Sequence, residues 1–90
     1  MNKERTFEYK QISDELNRNI GFFFKFHRKK MNITGRELSK KLQVSQQQIS
    51  RYECGSSQLN LVTAIRLCHY LNIDVYTFCE FVSNLKYKFK

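Results

Sequence analysis

Ninety residues, 41% of them hydrophobic, suffice for one compact helical core and are too few for two. Sixteen Lys and Arg against eight Asp and Glu leave a net charge of +8, which favours a polyanionic partner, and the absence of proline with only three glycines favours helices. The three cysteines, Cys54, Cys68 and Cys79, lack C-x-x-C spacing and are odd in number, so a reduced, cytoplasmic setting is expected rather than a disulfide framework. No signal peptide is read, and the longest apolar-rich run, residues 20–26, is interrupted by Lys25 and far shorter than the ~20 residues that cross a bilayer, so no membrane partner is expected.

In chain order, residues 1–8 are polar and expected to fray. Tyr9, Ile12, Leu16 and Ile20 then recur at helical spacing, predicting an N-terminal helix or helical arm over residues 1–19, outside a core domain of residues 20–83. Residues 20–31 predict a helix with Ile20, Phe23, Phe24, His27 and Met31 on one stripe and Asn32 as its C-cap. Phe22 and Phe26 fall off that stripe; either the N-terminal helix or a second subunit could cover them.

Two short helices follow closely. Thr34 and Glu37 form a capping box, with Ile33 and Leu38 as its hydrophobic staple, predicting a helix over residues 35–42. Gln43 and Val44 then lead to Ser45, which starts a second capping box with Gln48 and a second staple between Val44 and Ile49. The spacing is that of a helix-turn-helix. In the second helix, residues 45–53, Ile49 and Tyr52 turn inward, leaving Gln46, Gln47, Ser50 and Arg51 outward. Glutamine amides can pair bidentately with adenine and arginine with guanine, so this outer set suits base edges. The charge agrees. Residues 1–19 carry four basic and four acidic groups, whereas residues 20–53 carry eight basic groups against Glu37 and Glu53.

After the loop at residues 55–59, Asn60 caps a helix expected to turn Leu61, Ala64, Ile65, Cys68 and Leu71 inward, ending at Asn72. Asp74 caps the last helix, with Ile73 and Phe78 as staple, and Val75, Phe78, Val82, Leu85 and Phe89 extending an apolar stripe into a basic tail or helix extension at residues 84–90. The expected fold is all-α, with five core helices and an additional N-terminal helix or arm.

The opening Ile20, Gly21, Phe24 and Arg28, together with the closing Glu53 and Gly55, resemble the Cro/C1-type, or XRE-like, helix-turn-helix family over residues 20–81. That resemblance implies a lambda-repressor-like DNA-binding domain and an Arg28–Glu53 salt bridge. It implies base reading by Gln46, Gln47 and Arg51 with Ser50 as a further candidate, although Arg51 serves equally as a phosphate contact. Phosphate contacts are expected from Thr34, Arg36, Lys40, Lys41, Ser45, Ser56 and Ser57. Two positions depart from the family pattern: Gly35 and Cys54 stand where the family often has a glutamine and an asparagine that touch phosphate. The string SQQQISRYE resembles the narrower MrpJ-type regulators of bacterial fimbrial operons, which implies control of fimbrial and motility genes.

The expected function is a sequence-specific transcriptional regulator acting on double-stranded promoter DNA, associated with the nucleoid when bound. A homodimer is expected, with Phe22, Phe26, Phe81, Leu85 and Phe89 as candidate contacts. No catalytic residues, metal, cofactor or small-molecule ligand are expected, since neither nucleophile motif, phosphate-binding glycine loop nor acid pair is present. His27 reads as a core or boundary histidine, His69 as exposed, and Cys54 as the one cysteine placed for redox chemistry near DNA. Two rivals stay open: an antitoxin-type protein-interaction module with autoregulatory DNA binding, and a nucleoid-type binder without sequence preference.

Overall fold

The computed structural model describes residues 3–85, with side chains from residue 8 onward. Five helices follow one another: α1 (Lys3–Lys30), α2 (Gly35–Leu42), α3 (Gln46–Cys54), α4 (Leu61–Tyr70) and α5 (Val75–Ser83). No strand occurs among the described residues. The architecture is the expected all-α one.

The two helices expected over residues 9–31 are a single 28-residue helix, α1, already helical at Lys3. Nothing between Leu16 and Ile20 stops a helix strongly, and Gly21 costs only about 1 kcal/mol relative to alanine inside one. At 1.5 Å per residue α1 is about 42 Å long, matching the longest dimension of the molecule, 43 Å. Its second half is a wall of the core; its first half runs past it.

Four helix ends share one device. After α1, the Asn32 amide donates to the Lys29 carbonyl and the Ile33 amide to that of Arg28, with Asn32 left-handed at φ 58°. This 6→1 and 5→2 pairing is a Schellman cap. It recurs after α3, where Gly55 has φ 81° and Ser56 donates to Arg51, and after α4, where Asn72 has φ 55° and Ile73 donates to Cys68. Gln43 ends α2 at φ 60°, and Val44 donates back to Ser39. These caps turn the chain within a few residues, so successive helices stay short and pack around one centre.

That centre contains Phe23 and Phe24 from α1, Leu38 and Leu42 from α2, Ile49 from α3, Ala64, Leu67, Cys68 and Leu71 around α4, and Ile73 and Phe78 around α5. Each large side chain contributes about 1.5–3 kcal/mol by leaving water. Phe24 stacks on Phe78 with centroids 5.2 Å apart, and Phe23 stacks on Phe81 at 4.5 Å.

Three expectations about facing are corrected. In α4 the inward set is Ala64, Leu67, Cys68 and Leu71, whereas Leu61 and Ile65 are 70% and 42% exposed. Both sets obey the i, i+3, i+4, i+7 rule and share three members, so periodicity alone could not choose between them. In α5 only Phe78 is buried; Val75 and Val82 face out, and the helix stops at Ser83 with Asn84 as C-cap, leaving half-buried Leu85 beyond it. Phe81 is half-buried against Phe23 and so belongs in part to the core. Phe89 lies outside the described residues.

Candidate nucleic-acid interface

Helices α2 and α3 are joined by Gln43, Val44 and Ser45 alone. At the start of α2 the Thr34 hydroxyl oxygen accepts from the Glu37 amide at 3.0 Å, and the Thr34 amide donates to Glu37 Oε1 at 3.4 Å, completing the capping box. The Thr34 hydroxyl lies a further 3.1 Å from Glu37 Oε1, so its proton is engaged locally. At the start of α3 only half the expected box forms. Ser45 Oγ accepts from the Gln48 amide at 3.0 Å, but the Gln48 side chain turns away and donates to Ser57 Oγ at 3.0 Å. Gln48 thereby ties the loop after α3 to the helix start, and the Ser45 hydroxyl proton stays available to an incoming acceptor.

On α3 the buried residue is Ile49, with Tyr52 half-buried beside it. Gln46, Gln47, Ser50 and Arg51 are all exposed, the face sought for base edges. On α2, Leu38, Ser39 and Leu42 turn inward, and Arg36, Lys40 and Lys41 project into solvent. The buried Ser39 hydroxyl donates to the Arg36 carbonyl at 2.7 Å and leaves no polar group stranded. Of the loop serines, Ser56 is exposed and Ser57 half-buried under the Gln48 bond. The helix pair thus exposes cations on α2 and at Arg51, and bidentate-capable amides on α3.

The seat of α3 is set from α1. Arg28 clasps Glu53 in a bidentate pair, Nε to Oε2 at 2.6 Å and Nη2 to Oε1 at 3.0 Å, with side chains only 12% and 10% exposed. Its third donor, Nη1, reaches the Ile33 carbonyl at 2.8 Å. One guanidinium therefore fixes both the end of α1 and the end of α3. Since Glu53 is spent in this pair, it does not oppose the positive field of the outward face.

Two glycines permit the close approach. A Cβ on Gly21 would stand 2.7 Å from the Glu53 carbonyl oxygen and closer still to that of Tyr52; one on Gly55 would stand 2.6 Å from the Arg18 backbone. Gly21 matched the family pattern by position, but its close approach to α3 left no trace in spacing or charge. Arg66 was missed as well: it donates to the Leu42 carbonyl at 3.2 Å and lies over the Tyr70 ring at 5.8 Å, holding the end of α2 against α4.

Cys54, exposed at the end of α3, lies 3.2 Å from Ser56 Oγ. Hydrogen bonding from the Ser56 side chain, then from its backbone, holds the thiol below its ordinary pKa, and the positive charge of Lys25 acts in the same direction. Cys68 is the opposite case, with burial pushing its thiol up. Among the described residues all three cysteines are free, and no group of three or more His, Cys, Asp or Glu side chains is placed to hold a metal ion. No described helix is long and apolar enough to cross a membrane.

A family model described as helix-turn-helix matches residues 25–78, which span the end of α1 through α2, α3 and α4 into α5. No curated protein matches the chain.

Proposed function

The chain belongs to the Cro/C1-type helix-turn-helix family of DNA-binding transcriptional regulators, and on that footing we propose that it reads a specific operator by laying α3 in the major groove. The observation that carries this reading is the division of labour on α3. Ile49 and Tyr52 seat the helix, Glu53 locks it to Arg28, and Gln46, Gln47, Ser50 and Arg51 are left facing outward together. Gln46 and Gln47, in the first turn, are the base readers, with Ser50 and Arg51 completing the face.

Backbone grip comes from Arg36, Lys40 and Lys41 on α2, with the Ser45 hydroxyl and the amides of the helix starts, and from Ser56 once its hydroxyl leaves the 3.4 Å bond that it donates to the Arg51 carbonyl. Ser57 Oγ accepts from Gln48 and keeps its own proton for a phosphate, whereas the hydroxyl and the amide of Thr34 both already donate to Glu37, so Thr34 contributes only when that box opens. The resemblance of SQQQISRYE to MrpJ-type regulators supports fimbrial and motility genes as targets, and DNA binding supports a cytoplasmic location on the nucleoid. The regulator works as a homodimer, since two copies of α3 can then reach half-sites about 34 Å apart.

Replacing Gln46 and Gln47 with alanine tests the assignment. Affinity for a selected operator should fall about 10–100-fold while affinity for unrelated duplex stays nearly constant, since each good base contact is worth about 1–3 kcal/mol of discrimination. Equal losses on both duplexes would remove the two glutamines from the base-reading role.

A further inference from the structure

The outer face of α1 carries an ordered series of side chains that the DNA-facing surface does not use. Phe22 and Phe26 are 66% and 54% exposed although they lie in the core-packing second half of the longest described helix. Toward the N-terminus the same face carries Glu15, and toward the C-terminus Lys29, both exposed. None of residues 8–19 is buried, so the first half of α1 is helical with little core behind it. Isolated helices of this length are marginal in water, and a partner along this face would stabilise it.

The series is self-complementary when reversed. Glu15 stands seven residues before Phe22 and Lys29 seven after it. Seven residues are close to two helical turns, so these side chains share the face of Phe22. We infer that two copies of this chain pair through antiparallel α1 helices on a two-fold axis at Phe22, setting Glu15 against the partner's Lys29 with Phe22 and Phe26 of both copies between these pairs.

Charge complementarity selects this occupant. A parallel pairing would place Lys29 on Lys29 and Glu15 on Glu15, whereas the antiparallel one places opposite charges together at both ends and buries the aromatics between them. Among the described residues neither Glu15 nor Lys29 makes an ion pair within its own chain. The interface lies away from the amide face: α1 meets α3 at its C-terminal end, through Gly21 and Arg18, while Gln46 and Gln47 stand in the first turn.

This pairing rests on the homodimer reading and gives it a surface, and it is tested in the absence of DNA. Sedimentation equilibrium on the full chain should show a reversible species with the mass of two 10.9 kDa chains. E15K and K29E should each weaken it about tenfold or more, because every reversal converts two symmetric attractions into repulsions. Combining E15K with K29E should restore the affinity to within about threefold of the wild type, because the pairs are then re-formed with signs exchanged. Both sites are exposed, and circular dichroism is expected to show each variant folded; Phe22→Ser, which changes no charge, should weaken the dimer independently.

A wild type that stays monomeric over the accessible range would overturn the pairing, as would single reversals without effect or a double reversal no better than the singles. Binding of a single half-site duplex by the E15K monomer separates the two readings. Retained binding leaves the DNA reading intact whatever the dimer does.

Discussion

Glu53 and Arg28 are the residues on which the seating of α3 turns. Both are nearly buried, and each satisfies the other through two hydrogen bonds, so removing one leaves an uncompensated charge in a poorly solvated place. Glu53→Ala is expected to lower unfolding free energy by about 3 kcal/mol in urea titrations, with Arg28→Ala similar and the double variant well short of the sum. Additive losses would mean that the pair is not coupled. His27 gives a pH signature of its own. It packs between Phe23, with ring centroids 4.5 Å apart, and Phe26, and burial followed by the charge of Lys30 lowers its pKa below 6.5. A depressed folded-state value means that the unfolded chain binds the proton more readily. Stability should therefore hold above about pH 6.5 and decline as pH falls below it toward the folded-state value, a slope that His27→Gln should diminish in thermal melts across that window.

At the scale of elements, α1 and α3 meet backbone to backbone, and both contacts depend on a missing Cβ. Gly21→Ala would force α1 away from the Tyr52 and Glu53 carbonyls and is expected to cost about 2–3 kcal/mol, stretching the Arg28–Glu53 bonds as it does so. Gly55→Ala combines a φ of 81° with a clash against Arg18 and should cost at least as much. A melt within about 0.5 kcal/mol of the wild type for either would show that the helices separate freely. These contacts also mark the limit of what the sequence disclosed. Helix starts at residues 35, 46, 61 and 75 were legible because Thr34, Ser45, Asn60 and Asp74 cap locally. The facing of α4 was not, because Leu61 and Leu67 compete for one apolar stripe and only tertiary packing decides. Gln48 was assigned to its own cap because its rival acceptor, Ser57, comes within reach only once the loop has folded.

For the whole molecule, two faces divide the surface: an amide and cation face on α2 and α3, and a charge-ordered aromatic face along α1. The outward set of α3 was readable from periodicity, since Ile49 and Tyr52 point inward in the structure as their spacing required. The continuity of α1 was not, and with it the juxtaposition of Glu15, Phe22 and Lys29 on one unbroken face. Sequence-specific recognition is the property from which the roles of both faces follow. Selection of bound duplexes from a random-sequence pool, followed by titration of the enriched site and a scrambled duplex at one salt concentration, tests it most directly. A recurring site bound about a thousandfold or more tighter than the scrambled duplex is the expected result; no enriched sequence, with equal affinity for every duplex, would contradict it.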